Sequence, residues 1–154
     1  MVKTMNNIEG GLEPFSGIGL HRIPIRVYYE ETDAAGIVYY ANYLRFAERA
    51  RTELLRDLGV AHEFIKEKWG VEFVVRSCNA DYILPAYLDD KLEVQTTCEE
   101  IKGASITLRQ SVVRDDQELV IMNVKIASRS CKEGKAARIP STVRSAFQGL
   151  KFIK

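Results

Sequence analysis

The chain of 154 residues is long enough for one domain and too short for two ordinary ones. It is 46% hydrophobic and 28% charged, which is typical of a globular protein that buries a core. Its formal net charge of +1 disfavours a role in binding nucleic acid or a charged membrane surface, because such partners select a strong excess of positive charge.

The sequence contains no apolar run near the roughly 18 residues that a membrane-spanning helix needs. It also lacks a basic segment followed by an apolar stretch at its start, so we expect a cytoplasmic protein without a signal peptide. Three cysteines, Cys78, Cys98 and Cys131, are odd in number and widely spaced. This pattern predicts reduced thiols rather than a disulfide framework.

The first predicted elements are an extension, a strand and a loop. Residues 1–20 hold four glycines with little periodicity and are expected to form a flexible extension, with a single domain over residues 21–150. Residues 21–29 alternate apolar and polar side chains, which predicts a strand, and Pro24 favours an edge or the strand start. Residues 30–36 are polar and end in glycine, which predicts a loop.

The clearest helix is expected over residues 42–58. Apolar residues recur there at spacings of three and four, which places them on one stripe of a helix. The stripe consists of Tyr43, Ala47, Ala50, Leu54 and Leu58. Gly59 is a suitable terminator, and a second, shorter helix is expected within residues 59–69.

From Val71 onward the apolar pattern changes to period two, which predicts strands over 71–75, 91–98, 106–112 and 119–127. Residues 114–117 read as a hairpin turn, and a short helix is expected to begin near Pro140. This order predicts an α+β domain in which a curved antiparallel sheet wraps around one long central helix. A sheet covered on one side often pairs with a second copy, so an oligomer is favoured.

The common catalytic motifs that the sequence lacks limit the reactions that the protein could catalyse. The chain has two histidines, His21 and His62, and neither lies in a catalytic motif. The sequence contains no G-x-S-x-G, H-E-x-x-H, Walker or dinucleotide-binding motif, and it has no metal-ligand cluster. A Ser–His–Asp or Cys–His enzyme is therefore disfavoured.

What remains is the segment 28–43, which holds three carboxylates and five tyrosines around Gly36. It ends where the long helix starts, and a helix N-terminus offers free N–H groups and a positive dipole end to a developing oxyanion. A carboxylate in the preceding loop could approach the same point. The alternative is that Glu30, Glu31 and Asp33 form a solvated loop and the tyrosines only pack.

The run YYEETDAAGIVYYANYLRFAERARTELL resembles the signature of the 4-hydroxybenzoyl-CoA thioesterase family. Within that family it resembles the YbgC-like acyl-CoA thioesterases associated with the Tol-Pal system. The match includes T-D-x-x-G-I-V-Y and the N-Y at the helix start, and weaker similarity continues to about Phe147. The resemblance implies the hotdog fold and hydrolysis of acyl-CoA thioesters, with no metal or redox cofactor.

Carried over by position, the family's catalytic aspartate is Asp33, and the residue whose backbone N–H polarises the thioester carbonyl is Tyr40. Many YbgC-like members have histidine at the Tyr40 position, whereas the 4-hydroxybenzoyl-CoA enzymes resemble this chain in having tyrosine. A backbone donor survives that difference. Asp33 would either attack the acyl carbon or deprotonate a water, and the sequence leaves both routes open.

Four further residues are candidates for the site, and each also has an alternative, non-catalytic role. Other hotdog thioesterases have a catalytic glutamate on the central helix, so Glu48 could assist, although an ion pair with neighbouring arginines is favoured. Arg76, Arg129 and Lys132 are candidate contacts for the phosphates of coenzyme A, because cationic groups suit phosphate. Each could equally be an ordinary surface charge.

The resemblance also implies partners. Active sites in the family form between two subunits, and dimers commonly pair into tetramers, so a homodimer that assembles to a homotetramer is expected. Acyl carrier protein is a second possible carrier of the acyl group. One alternative, a hotdog dehydratase, needs a histidine that residues 33–43 lack. The other is a non-catalytic module that binds acyl-CoA or acyl carrier protein, and retention of Asp33 and Gly36 argues against it.

Overall fold

The computed structural model describes residues 11–12 and 19–151. The described fold consists of six strands, three helices and a short 3-10 helix at Tyr29–Glu31. The bounds are β1 Gly11–Leu12, β2 His21–Arg26, α1 Asn42–Asp57, α2 His62–Trp69, β3 Val71–Tyr82, β4 Lys91–Ile101, β5 Ser105–Arg114, β6 Gln117–Ser130 and α3 Ser141–Lys151. The strands form one antiparallel sheet with the order β1-β2-β4-β5-β6-β3.

Helix α1 ends one residue before its predicted bound and buries its predicted stripe except for Leu58, which lies at the C-cap and is half-buried. Ala47 is 1% exposed and Ala50 is fully buried, and these small side chains let the helix backbone approach the sheet. The approach is close enough for the Gln110 side chain of β5 to donate a hydrogen bond from Nε2 to the Ala47 carbonyl oxygen, at 3.0 Å. Gly59 ends the helix region with a φ of +79°, a left-handed conformation that glycine adopts without steric cost.

The strands confirm the period-two pattern, and most of them are longer than predicted. The turn between β5 and β6 holds Asp115 and Asp116 at positive φ, of 50° and 65°, which is the twist that a tight hairpin needs. Strand β3 was predicted only to Val75 but continues to Tyr82, with a bulge between Val75 and Ser77. The bulge interrupts the alternation of side chains, so the pattern did not predict the second half of this strand.

The core lies between α1 and one face of the sheet. Its largest fully buried side chains include Phe46 and Leu54 from α1, Leu108 from β5 and Met122 from β6, with Phe147 from α3. The predicted α+β arrangement of an antiparallel sheet around one long helix is therefore confirmed. No helix in the ranges 11–12 and 19–151 is long and apolar enough to cross a membrane.

The predicted N-terminal extension falls mostly outside the described residues. Gly11 and Leu12 pair with Arg22 and His21 at the end of the sheet. Residues 1–10 and 13–18 are not described, so the division into an extension and a domain at 21–150 stays a prediction. Of the three cysteines, Cys98 is buried, Cys131 is half-buried and Cys78 is exposed, and no disulfide joins any two of them.

Candidate active site

The loop that carries Asp33 is closed by its own hydrogen bonds. Thr32 pairs with Val38, and the Asp33 N–H donates to the Ile37 carbonyl oxygen at 2.8 Å. The Gly36 N–H donates to the Asp33 carbonyl oxygen at 3.0 Å. Gly36 has a φ of +82°, so this tight loop needs glycine at that position.

The Asp33 carboxylate is exposed at the tip of this loop. Its Oδ1 accepts the Ala35 N–H at 2.8 Å, which fixes the side chain against the loop. Oδ2 accepts no hydrogen bond from any residue in the described part of the chain. One carboxylate oxygen is therefore held and the other is available to a ligand or a water.

Tyr40 lies immediately before Ala41, the N-cap residue of α1. The two N–H groups that follow Ala41 both form main-chain hydrogen bonds of a turn. The Asn42 N–H donates to the Tyr39 carbonyl oxygen at 2.8 Å, and the Tyr43 N–H donates to the Tyr40 carbonyl oxygen at 3.4 Å. Among the residues described, the N–H groups of Tyr40 and Ala41 donate to no backbone oxygen. They therefore offer free donors at the positive end of the helix dipole.

Main-chain contacts tie the Asp33 loop to the start of α1. The carbonyl oxygen of Glu31 accepts the Tyr39 N–H and the Asn42 Nδ2, both at 2.9 Å. Glu31 precedes Asp33 by two residues, while Tyr39 and Asn42 flank Tyr40 on either side. The structure thus brings the loop of Asp33 and the N–H of Tyr40 to the same end of the helix.

Glu31 itself was expected to be solvated if the segment had no function, and that expectation is wrong. Its side chain is buried, and its carboxylate accepts the Tyr28 N–H at 2.8 Å and an Arg49 guanidinium N–H at 3.2 Å. Glu31 is the third residue of the short 3-10 helix, where a glutamate can reach back to the preceding N–H. The spacing of three residues between Tyr28 and Glu31 was the signal in the sequence that could have indicated this contact. Glu30, by contrast, is exposed.

An apolar cavity of about 300 Å³ adjoins Tyr40. Its lining is formed by Ile37, Val38, Tyr40, Tyr43, Tyr82, Ile83, Leu84 and Pro85. The rings of Tyr40 and Tyr82 meet edge to face at 6.0 Å, and the Tyr82 hydroxyl donates to the Tyr40 carbonyl oxygen at 3.4 Å. Burial raises the pKa of both Tyr43 and Tyr82, so both phenols stay protonated near neutral pH.

The three predicted phosphate contacts, Arg76, Arg129 and Lys132, are all exposed. Arg76 lies at the bulge of β3, and Lys132 lies in the turn after β6. Arg129, on β6, already donates from Nε to Glu72 at 2.7 Å. A phosphate would have to compete with Glu72 for the Arg129 guanidinium.

The ion pair favoured for Glu48 is not formed with any described residue. Glu48 is exposed, and the neighbouring arginines have other partners: Arg49 binds Glu31, and Arg51 donates to Gln110 Oε1 at 2.9 Å. Burial lowers the pKa of Arg51, and the charge of Glu48 acts in the opposite direction. Glu48 is therefore a nearby charge for Arg51 rather than a bonded partner.

Neither of the two histidines forms a hydrogen bond with the Asp33 loop in the described part of the chain. His62 is exposed at the start of α2. His21 is fully buried and its Nε2 lies 2.8 Å from Asp57 Oδ2, at the C-terminal end of α1. Burial lowers the pKa of His21, against the raising effect of the Asp57 contact. Within residues 11–12 and 19–151 no group of three or more His, Cys, Asp or Glu residues is arranged to hold a metal ion.

The described fold is an antiparallel sheet around one long helix, with the acidic Asp33 loop next to the start of that helix. Residues 27–147 match the model of the thioesterase-like superfamily, and the chain belongs to that superfamily. The predicted hotdog fold and family are thereby confirmed.

The chain is also similar to individual proteins and solved structures. The acyl-CoA thioesterase YbgC of Haemophilus influenzae is 44% identical over 128 residues, which cover 83% of this chain and 94% of that protein. The structure of a probable thioesterase from Bartonella henselae superposes with a TM-score of 0.75 at 35% identity, over 79% of this chain and 99% of that one. A 1,4-dihydroxy-2-naphthoyl-CoA thioesterase from Synechocystis shares the fold, with a TM-score of 0.77 at 20% identity over 84% and 96% of the two chains.

Proposed function

We propose that the protein hydrolyses acyl-CoA thioesters to the free acid and CoA. One observation supports the proposal: the contacts of the Glu31 carbonyl oxygen join the loop that carries Asp33 to Tyr39 and Asn42, the residues before and after the Tyr40–Ala41 pair. Thioester cleavage needs a polarised carbonyl and an oxygen nucleophile, and these two groups can supply them. The similarity to a protein named acyl-CoA thioesterase supports the same substrate class.

In the proposed reaction the thioester oxygen accepts a hydrogen bond from the Tyr40 N–H, which stabilises negative charge as the carbonyl is attacked. In one route an Asp33 oxygen attacks the acyl carbon, CoA leaves as the thiolate, and water then hydrolyses the mixed anhydride. In the other route Asp33 takes a proton from a water, which attacks the acyl carbon directly. Both routes use the oxygen of Asp33 that the loop leaves unbonded, and both end in a free acid and CoA.

The active unit is proposed to be a homodimer that assembles to a homotetramer in the cytoplasm. Strand β3 is the last strand of the described sheet, and it is 12 residues long with exposed apolar side chains at Val75 and Tyr82. Such an edge is a template for pairing with a second copy. Antiparallel pairing of two β3 strands about a two-fold axis would bring the Val71 end of one copy towards the Tyr82 end of the other.

That assembly also gives Arg129 and Lys132 a role. Arg129 pairs with Glu72 beside the Val71 end of β3, and Lys132 follows β6 at the same end. In the proposed dimer both cations would approach the Tyr40 end of the partner subunit, where the phosphates of CoA could lie. Arg76, near the middle of β3, would then lie close to the two-fold axis. Acyl carrier protein remains a second proposed carrier of the substrate.

The test is release of free thiol from a panel of acyl-CoA substrates of different chain length, followed with a thiol reagent. Asp33→Asn should lower kcat by about 10²–10⁴-fold, because asparagine cannot act as nucleophile or base. The asparagine Oδ1 can still accept the Ala35 N–H, so folding and assembly should be unchanged. Glu30→Gln is the matched control, since it neutralises an exposed carboxylate of the same segment.

Near-normal hydrolysis by Asp33→Asn would remove Asp33 from this role. Binding of acyl-CoA without any thiol release, by native protein, would instead identify a non-catalytic acyl-CoA module.

A further inference from the structure

Glu31 is the carboxylate of the segment that the proposed reaction does not use, and it is the most buried of the three, at 7% exposure. We infer that Glu31 is a positioning residue: its carboxylate, bonded to Arg49 in the second turn of α1, holds the Asp33 loop in register with the Tyr40 N–H. This inference rests on the proposed function, because the two groups that it aligns are those of the proposed reaction.

The side chain of Glu31 makes two directed contacts that lead to different parts of the fold. Oε1 accepts the Tyr28 N–H at 2.8 Å, which closes the short 3-10 helix before Asp33. Oε2 accepts a guanidinium N–H from Arg49, 18 residues further along the chain, at 3.2 Å. A carboxylate is buried only when partners offset its lost hydration, so these two donors account for its position.

Arg49 is itself held by the helix. Its guanidinium carbon lies 5.7 Å from the centre of the Phe46 ring, and Phe46 is fully buried. A cation over an aromatic face is attracted to it, which limits the positions that the guanidinium can take. The Glu31 carboxylate is therefore bonded to a group that the core of the protein orients.

The main chain of Glu31 completes the link. Its carbonyl oxygen accepts hydrogen bonds from the Tyr39 N–H and the Asn42 side chain, and its N–H donates to the Tyr28 carbonyl oxygen at 3.0 Å. These bonds hold one side of the loop, whereas the other side is held by Val38, whose N–H donates to the Ala86 carbonyl oxygen at 2.9 Å. The contacts of Glu31 thus join the Asp33 side of the loop directly to α1.

The bonds within the loop cannot replace this link. The Asp33 N–H to Ile37 bond and the Ala35 N–H to Asp33 bond set the shape of the loop but connect it to no part of α1. Without the Glu31–Arg49 contact, only the bonds of the Glu31 carbonyl oxygen to Tyr39 and Asn42 join this side of the loop to α1, so the Asp33 carboxylate can shift relative to the Tyr40 N–H while the loop keeps its shape. Displacements of about 1 Å in a reacting group can lower turnover about 10²-fold.

The experiment compares Glu31→Gln, Arg49→Gln and Arg49→Lys with native protein, and uses Arg56→Gln as the matched control. Arg56 lies on the same helix and pairs with Glu53 within α1, so its removal breaks an ion pair that does not reach the loop. Two readouts are taken well below the melting temperature of every variant: steady-state hydrolysis of acyl-CoA, and amide hydrogen exchange of peptides that cover residues 33–40.

We expect Glu31→Gln and Arg49→Gln to lower kcat about 10–100-fold with little change in KM, because the substrate still binds while the reacting groups are misaligned. Exchange of the 33–40 amides should become about tenfold faster. The double variant should be no worse than Glu31→Gln alone, since both changes break one contact. Arg49→Lys should recover most of kcat, and Arg56→Gln should match native protein in both readouts.

Unchanged exchange of the 33–40 amides in Glu31→Gln would overturn the inference whatever the protein hydrolyses. Faster exchange with unchanged kcat would overturn it as well, because the loop would be freed without a catalytic consequence. An equal loss of kcat in Arg56→Gln would show a general effect of helix charge instead. Native protein that hydrolyses no acyl-CoA would refute the proposed function separately, and unaltered loop exchange in the variants would still decide against Glu31.

Discussion

Replacement of Tyr40 by proline separates backbone from side-chain chemistry at the proposed oxyanion site. Proline has no N–H to donate, and within the described residues the Tyr40 N–H donates to no backbone oxygen. The change therefore deletes the proposed catalytic donor without breaking a main-chain hydrogen bond of the fold. Proline is also tolerated next to a helix start, where its fixed φ suits the first turn.

For Tyr40→Pro the expected loss of turnover is much larger than the expected loss of stability. Loss of one oxyanion donor lowers kcat about 10²–10³-fold, which corresponds to about 2.7–4 kcal/mol in the barrier. The stability cost comes from the Tyr40 ring, whose centre lies 5.0 Å from that of Tyr39 and 6.0 Å from that of Tyr82. Because the Tyr40 side chain is 61% exposed, we expect these contacts to contribute about 1 kcal/mol in total. In a protein of this size that lowers the melting temperature by about 2–4 °C.

Three variants keep the N–H of residue 40 and control for changes in its ring. Tyr40→Ala loses the same ring contacts as Tyr40→Pro but keeps the N–H, so it should lose stability and keep most of its turnover. Tyr40→Phe keeps both the ring and the N–H and should resemble native protein, and Tyr40→His should also retain most activity. The assay is thiol release at saturating acyl-CoA, with circular dichroism melting curves for each variant.

Two outcomes would refute the reasoning. If Tyr40→Phe is folded and as inactive as Tyr40→Pro, the phenol takes part and the backbone account is wrong. If folded Tyr40→Pro turns over at a near-native rate, another group polarises the carbonyl.

Three further predictions concern assembly and stability. Light scattering should give two or four times the 17.5 kDa chain mass, and a fully active species of one chain would contradict the proposed assembly. Gln110→Leu should lower the free energy of unfolding in urea by about 2 kcal/mol, because the half-buried Arg51 loses its acceptor. Adding Arg51→Met to Gln110→Leu should recover part of that loss. An unchanged urea midpoint in Gln110→Leu would argue against a stabilising Arg51–Gln110 hydrogen bond. Because burial lowers the pKa of His21, its contribution to stability should be complete above pH 6.5, the ordinary pKa of histidine, and should decline as the pH falls below that value through the lower pKa of the folded protein. His21→Gln should flatten that part of the stability profile, and an identical slope in both proteins would exclude His21 as its cause.

The elements of this fold follow from local pattern. The apolar stripe from Tyr43 to Leu54 is a property of residues a few positions apart, and the structure places α1 within one residue of the predicted bounds. Strand β4 and the first half of β5 alternate in the same direct way. The family signature around Asp33 and Gly36 is equally local, which is why the sequence was sufficient to propose the loop and the helix start as the site.

The second half of β3 shows where local pattern ends. After the bulge at Val75 the alternation shifts, and the side chains of Ser77, Cys78 and Asn79 are exposed at the edge of the sheet. An edge strand has fewer neighbours to select apolar side chains, so its composition carries little signal.

Tertiary structure alone decided the partners of the buried polar groups. His21 pairs with Asp57 across 36 residues, Arg51 with Gln110 across 59, and Glu31 with Arg49 across 18. In each pair folding removes water from at least one of the two groups, and these buried groups are His21, Gln110 and Glu31. A buried polar group then requires whichever donor or acceptor the packing brings near it. Sequence spacing records which residues share a helix face or a strand face, but it does not record which two faces meet. The charged groups that hold the Asp33 loop on α1 could therefore be recognised only once the sheet and the helix were packed together.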